Sequence, residues 1–159
     1  MDETAGFVGL ISDTHGLLRP EAVAALAGAR LILHAGDVGS PDVLESLGRI
    51  APVTAVRGNT DRGATGALPP TELVTVAPGV DVYLIHILDD LDLDPKAAGV
   101  AAVVYGHSHA PRAERRDGVW YLNPGSAGPR RFSLPITVAR LWFETAGLRM
   151  ELVTIEPAR

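Results

Sequence analysis

Four of the five histidines in this chain sit at the ends of apolar runs: His15 in Asp13-Thr14-His15, His86 after residues 82–85, and His107 and His109 in Gly106-His107-Ser108-His109. The chain has no cysteine, which excludes disulfides, thiolate nucleophiles and cysteine-based zinc sites. Any metal must then be held by imidazole, carboxylate or carbonyl oxygen. In an extended segment, residues spaced i, i+2 point to one side, so Asp13 with His15, and His107 with His109, can each offer two ligands to one small volume. Asp37 in Gly36-Asp37 adds a carboxylate able to bridge two cations, and Asn59 in Gly58-Asn59 adds a neutral amide oxygen. A lone Asp-x-His is most often a capped turn, and it is the set that points to metal. Asp13, His15, Asp37, Asn59, His86, His107 and His109 together offer mixed nitrogen and oxygen donors with little excess negative charge. Such a set suits divalent transition metals better than calcium.

Other polar residues near these motifs have plainer readings. His34 stands on an apolar run, 31–33, and is expected to be a core histidine or a hydrogen-bond partner of the site rather than a ligand. Asp61 either contacts a ligand or caps the turn after Gly58-Asn59. Arg57 and Arg130 are candidates for planar, charge-assisted bonds to phosphate oxygens, and Arg131 is a weaker one. Trp120, Trp142 and Phe132 read as packing residues rather than a stacking platform.

The elements that must position these groups follow from the apolar pattern. Residues 7–12 form a short strand-forming run that ends abruptly at Asp13, and Pro20 opens an alanine-rich helix to Ala27, with Gly28 as terminator. A strand over 31–34 stops at Gly36-Asp37, and Ser40 then caps a helix that starts at Pro41 and ends near Gly48. A third strand, 53–56, stops at Arg57-Gly58-Asn59. This βαβαβ succession favours a parallel sheet with right-handed crossovers, whose sites lie beyond the carboxyl ends of its strands. The second half has strands near 72–76, 81–86 and 100–105 with a brief helical piece at 95–98, and antiparallel pairing is expected there. Asp117-Gly118 marks a hairpin between 113–116 and 119–122, and a last strand pair, 135–144 and 149–155, turns at Ala146-Gly147. The fold class expected is α/β, an α+β sandwich of two mixed sheets packed face to face with helices outside.

The 159 residues suffice for one domain, and no repeat or linker marks a boundary, so 1–159 reads as a single unit. Apolar residues never run the ~20 positions a membrane span needs, and Met1-Asp2-Glu3-Thr4 lacks the basic start of a signal peptide, so a soluble, cytoplasmic protein is expected. The net charge is −5 and basic residues cluster only briefly, as at Arg115-Arg116 and Arg130-Arg131, so no extended nucleic-acid surface is indicated. The expected partner is a small molecule, and a homo-oligomer is compatible with the composition.

The ordered motifs Asp13-x-His15, Gly36-Asp37, Gly58-Asn59, His86 and Gly106-His107-x-His109 resemble those of the calcineurin-like metallophosphoesterases. Asn123-Pro124-Gly125-Ser126 with Arg130 resembles a further segment of that family's small bacterial and archaeal phosphodiesterase branch. The resemblance implies one metal held by Asp13, His15, Asp37 and His109 and a second by Asp37, Asn59, His86 and His107, with Asp37 as the bridge. It implies two divalent transition-metal ions, manganese first, with iron, nickel or zinc as alternatives. Asp37, Asn59 and His107 are then expected to carry catalysis, and Arg57 and Arg130 to contact a phosphate-ester substrate. Two ions ~3.5–4 Å apart would lower the pKa of a water between them and yield a hydroxide for in-line attack on a phosphate diester.

Two departures from the family pattern stand out. Many members have a histidine after Gly-Asn where Thr60 stands, which removes a proton donor to the leaving group and predicts a preference for good leaving groups. Ile87-Leu88 follows His86 where the family commonly has Gly-His, removing an auxiliary contact. A scaffold subunit of the retromer sorting complex has the related fold and acts by protein binding, so a non-catalytic binding module is the alternative reading. A metal or nucleotide sensor would keep the ligands without turnover. Retention of all four motif histidines favours hydrolysis.

Overall fold

The computed structural model describes residues 6–159; the N-terminal reading of Met1 to Thr4 lies outside them. Strand β1 (Val8–Ile11) is buried on both faces, as its uninterrupted apolar sequence requires. Helix α1 (Pro20–Leu26) starts at a proline that needs no backbone donor and turns Ala22, Ala25 and Leu26 inward at helical spacing. Strand β2 (Leu31–His34) follows. Helix α2 (Pro41–Gly48) is capped by Ser40, whose hydroxyl accepts from the Asp42 amide, and buries Val43 and Leu47 one turn apart. Strand β3 (Val53–Ala55) completes the βαβαβ unit, with β1, β2 and β3 parallel.

The short helix α3 (Gly63–Gly66) has no counterpart in the sequence reading, because two glycines in four residues oppose a helix. Strands β4 (Thr71–Ala77) and β5 (Val80–Ile85) form a hairpin. A 3-10 turn (Leu88–Asp90) and helix α4 (Pro95–Ala98) then lead to β6 (Ala102–Val104). Asp94 caps α4 by accepting from the amides of Lys96 and Ala97. Strands β7 (Arg112–Arg116) and β8 (Val119–Asn123) meet at Asp117-Gly118, both at positive φ as a type I′ turn demands. Strands β9 (Ile136–Glu144) and β10 (Gly147–Glu156) form the last pair.

The first sheet has the order β10-β9-β1-β2-β3 and the second β4-β5-β6-β8-β7. In the second sheet the expected antiparallel pairing holds only at the margins. Strands β5, β6 and β8 are parallel neighbours. Sequence order hides this, because β7 is placed at the edge and lets β8 return beside β6. The consequence is functional, since β5, β6 and β8 all end at the same edge of the sandwich.

Alternation within strands builds three apolar layers. Leu10 of β1, Leu33 of β2 and Leu141 of β9 pack against Leu84 of β5, Val104 of β6 and Leu122 of β8 between the sheets. The other face of the first sheet, with Ile11, Ile32 and Val138, takes Leu26 of α1 and Leu47 of α2. The outer face of the second sheet, with Tyr83, Ile85 and Val103, is covered by Leu88, Leu91 and Leu93. This is the face-to-face sandwich with outer helices that the sequence predicts. Trp120 packs at the margin of the inter-sheet layer and Trp142 against Phe7, whereas Phe132 is 84% exposed and packs in neither. Among the described residues no helix is long and apolar enough to cross a membrane.

Candidate metal centre

Each candidate ligand lies just past the carboxyl end of a strand: Asp13 and His15 after β1, Asp37 after β2, Asn59 after β3, His86 after β5, and His107 and His109 after β6. The hydrogen-bond ladder between β1 and β2 continues past the strands, through Asp13 N–H to Gly36 O and His15 N–H to Asp37 O at 3.0 and 2.9 Å. The connection between β8 and β9 is tied to the end of β1 as well, by Ala127 N–H to Ser12 O at 3.0 Å.

Five of these residues, Asp13, His15, Asp37, His107 and His109, have φ between 47° and 71°. That left-handed region costs a non-glycine residue roughly 1–2 kcal/mol, and its concentration in one place marks backbone held for a purpose. It also corrects the spacing argument, which assumed extended backbone. Asp13 and His15 do converge, with His15 Nε2 3.8 Å from Asp13 Oδ1. His107 and His109 instead separate. His109 joins Asp13 and His15, and His107 joins Asp37 and His86.

The two groups are contiguous. His109 Nε2 is 3.3 Å from Asp13 Oδ1, and His86 Nε2 is 3.2 Å from Asp37 Oδ2. His15 Nε2 reaches Asp37 Oδ2 at 3.8 Å and His86 Nε2 reaches Asp13 Oδ1 at 3.9 Å, so both carboxylates face both groups. Asn59 Oδ1 lies 3.0 Å from His86 Nε2 and 3.1 Å from His107 Nδ1. All seven residues named from the sequence meet in one place.

Residues without ligand roles hold the loops. His34 is fully buried; its Nδ1 accepts from Gly36 N–H at 3.1 Å, which leaves Nε2 to donate to Thr14 Oγ1 at 3.0 Å. Thr14 donates in turn to Val38 O at 2.8 Å, so one chain of bonds ties the β1 and β2 loops. Asp61 accepts from the amides of Val38, Gly39 and Gly58 at 3.3, 3.0 and 2.8 Å, which settles its role as a clamp between the Asp37 and Asn59 loops. Asn123, fully buried at the end of β8, donates to Gly106 O and Ser108 Oγ at 3.2 and 3.1 Å and steadies the His107–His109 loop. In the sequence the Asn123-Pro124-Gly125-Ser126 segment stands out by family resemblance alone, without a role for Asn123; an asparagine closing an apolar strand is the signal available. Ser126 donates to Asp13 O at 3.1 Å. At Gly58 an added Cβ would collide with the Asp37 carboxylate and backbone, and at Gly106 with the Ser12 hydroxyl.

The electrostatics fit a cation. Asp13 is 0% exposed; burial pushes its carboxyl up, but the close His109 imidazole, the Ser12 hydroxyl and the charge of His86 outweigh it and hold it below its ordinary value. Burial acts likewise on Asp37 and is overcome by His86 and by Thr60, whose N–H donates to Oδ1 at 2.9 Å. Burial opposes charging of His86, yet Asp37 and Asp13 raise its pKa, so the surroundings demand positive charge at this point.

Tautomers sharpen the fit. His86 Nδ1 donates to Ala35 O at 2.7 Å, so Nε2 of the neutral ring presents a lone pair. That lone pair faces two further acceptors, Asn59 Oδ1 and Asp37 Oδ2. Asp13 Oδ1 and His15 Nε2 are buried without hydrogen-bond partners. Acceptors gathered face to face away from water need a proton or a cation among them.

Two cavities open beside the second group. One of about 400 Å³ includes Asn59, His86 and Arg57 in its lining; another of about 340 Å³ includes His107, Ser108 and Arg112. Arg57 is exposed and bonds Leu68 O at 3.4 Å. Arg130 is engaged with Leu134 O at 2.8 Å and Glu156 at 3.2 Å, and lines neither cavity.

Residues 7–146 match the calcineurin-like phosphoesterase superfamily domain. A probable metallophosphoesterase of Methanothermobacter thermautotrophicus is 37% identical over 143 residues, covering 80% of this chain and 81% of that protein. Among solved structures, a novel archaeal phosphodiesterase has a TM-score of 0.76 at 22% identity, over 92% of this chain and 99% of that one. Wild-type Vps29 of Entamoeba histolytica, complexed with zinc, has a TM-score of 0.67 at 18% identity, over 93% and 98% of the two chains. At these identities the two structures share the fold with this chain.

Proposed function

Because the chain belongs to the calcineurin-like phosphoesterase superfamily, we propose that it is a metal-dependent phosphodiesterase. In this reading Asp13, His15, Asp37 and His109 hold one divalent ion, Asp37, Asn59, His86 and His107 hold a second, and residues 1–159 act as one domain. The observation that carries it is the meeting of acceptor atoms that require a positive charge among them: His86 Nε2, Asn59 Oδ1 and Asp37 Oδ2 in one group, and the unpartnered Asp13 Oδ1 and His15 Nε2 in the other. Two bound cations would neutralise phosphate charge and lower the pKa of a water for in-line attack on phosphorus.

The chain's own groups divide the remaining work. Asp37 is the shared carboxylate that the family resemblance implies; like Asp13, it lies within 4 Å of imidazoles from both groups. The Thr60 amide fixes Asp37 Oδ1 and leaves Oδ2 facing the imidazoles. His107 and Asn59, exposed beside the cavities, meet the substrate phosphate, and Arg57 at the rim adds a planar cation. Arg130 reaches phosphate only by leaving Glu156, which makes it the weaker of the two arginine candidates. Thr60 carries no acidic proton suited to a leaving alkoxide, so good leaving groups are favoured. Manganese is the first metal to test, with iron, nickel and zinc after it.

The test is a metal-reconstituted screen of mono- and diesters with elemental analysis. Close to two ions per chain and appreciable cleavage of aryl diesters, with alkyl esters much slower, are expected. Saturation at one ion, or metal binding without turnover of any diester, would falsify the reading and favour a binding module of the same fold.

A further inference from the structure

The cavities beside the second ligand group differ in charge. The larger has a floor that includes Asn59 and His86 and a wall that includes Pro70, Tyr83, Ile85 and Ile87. Its charged lining is Arg57 against Asp90 and Asp92, one positive and two negative groups, a net of −1. The smaller shares Ile87, reaches His107, and has Asp89 against Arg112, a net of zero. Ile87 stands in the lining of both, directly after His86, at a position where the family commonly has glycine.

A phosphodiester carries two organic arms on one phosphorus, and the two cavities flank the group where that phosphorus would sit. We propose that each cavity receives one arm, with Ile87 as the divider, and that the cavity of Asp90 and Asp92 selects an apolar arm ending in a cationic group over one ending in an anion. This rests on the phosphodiesterase reading and deepens it. The apolar wall accepts hydrocarbon, and the acidic rim on the 3-10 turn and the residues after it sets the sign of charge at the arm's far end. A volume of about 400 Å³ holds a group of nucleoside or amino-alcohol size. A net unit charge acting at ~7 Å through water favours an ammonium arm over a sulfonate arm about fivefold at low salt, and less as salt rises.

The experiment compares kcat/KM of the manganese-loaded full chain on three p-nitrophenyl diesters. Their second arms are choline, its uncharged 3,3-dimethylbutyl isostere and 2-sulfonatoethyl. The expected order is choline, then isostere, then sulfonate, with a ratio of about five between the ends that shrinks in 0.5 M salt. Asp90→Asn with Asp92→Asn should bring the ratio to about one or below, and Arg57→Gln should widen it. Calorimetric binding of two phosphinates, with both ester oxygens replaced by carbon and one arm ending in trimethylammonium or sulfonate, reads the same preference without hydrolysis. A wild-type ratio of one, a ratio unmoved in the double variant, or no binding of either phosphinate overturns the proposal. Phosphinate preference without hydrolysis of any diester would overturn the proposed function instead and leave this selectivity standing.

Discussion

The two ligand groups are built from similar residue types and differ in how they meet solvent: His15 is the half-buried member of the first, whereas the second keeps Asp37 and His86 buried and presents Asn59 and His107. Asp13 and His109 are sealed in the sandwich, and Asp13 is fixed further by the Ser12 hydroxyl at 2.7 Å and the His107 amide at 3.1 Å. Asn59 and His107 are exposed, and the cavities open on their side. A buried ligand loses little freedom on binding a cation and retains it well, whereas an exposed one can yield to a substrate oxygen. Within the proposed function, the comparison teaches a division of labour: the first group would anchor, the second would work, and Asp37 would couple them.

Removing the coupling should have the largest effect. Asp37→Ala is expected to lower turnover by at least ~10³-fold and deplete both ions, since several kcal/mol of charge stabilisation go with the shared carboxylate. Loss of only one ion, measured by elemental analysis, would show that the groups are independent. A second break is made through His34. Burial holds this imidazole at about 4, against 6.5 when exposed. Below pH 6.5 the unfolded chain takes a proton that the folded chain refuses, so stability falls as pH drops from 6.5 to 4, by about 3 kcal/mol in all. His86, raised, acts with the opposite sign at higher pH, and the lowered carboxyls of Asp13 and Asp37 contribute below 3.8. Chemical denaturation of metal-free His34→Gln should show a flattened slope in the 6.5 to 4 window, and an undiminished slope would remove His34 from the account.

The anchor and the working group should also separate by readout. His109→Ala is expected to cost metal retention after dialysis by about 10-fold or more, and His107→Ala to cost turnover more than retention. Equal losses in both readouts from both variants would erase the distinction. The smallest change is a gain: Thr60→His should raise alkyl-ester turnover by up to ~10²-fold if the new imidazole protonates the leaving oxygen. Fast alkyl cleavage by the unaltered protein would mean that another group already supplies that proton.

Which of these features could be read from the sequence follows from their range. Helix α2 is written in Ser40-Pro41, and the β7–β8 turn in Asp117-Gly118, because both signals act within a few residues. The seven candidate ligands are legible for a related reason: each follows an apolar run that ends at a polar turn. The parallel pairing of β6 with both β5 and β8 was not legible, since strand neighbours over such distances are chosen by the completed core. The parting of His107 from His109 is implied by the family resemblance but not by their i, i+2 spacing, because it depends on positive φ at both residues and on the Asn123 amide beneath their loop. The clamp by Asp61 could be suspected from its place after Gly58-Asn59, but not its three amide donors.

The strand ends that carry the candidate ligands have a kinetic consequence. Residues 13 to 109 must be brought together from five strands in two sheets before the acceptor atoms face one another. A transition state for folding that has closed only local hairpins contains no complete cation site. Metal ions should therefore leave the refolding rate nearly unchanged and act almost wholly by slowing unfolding. The lifetime of the native state, rather than the speed of reaching it, becomes the quantity that metal supply controls.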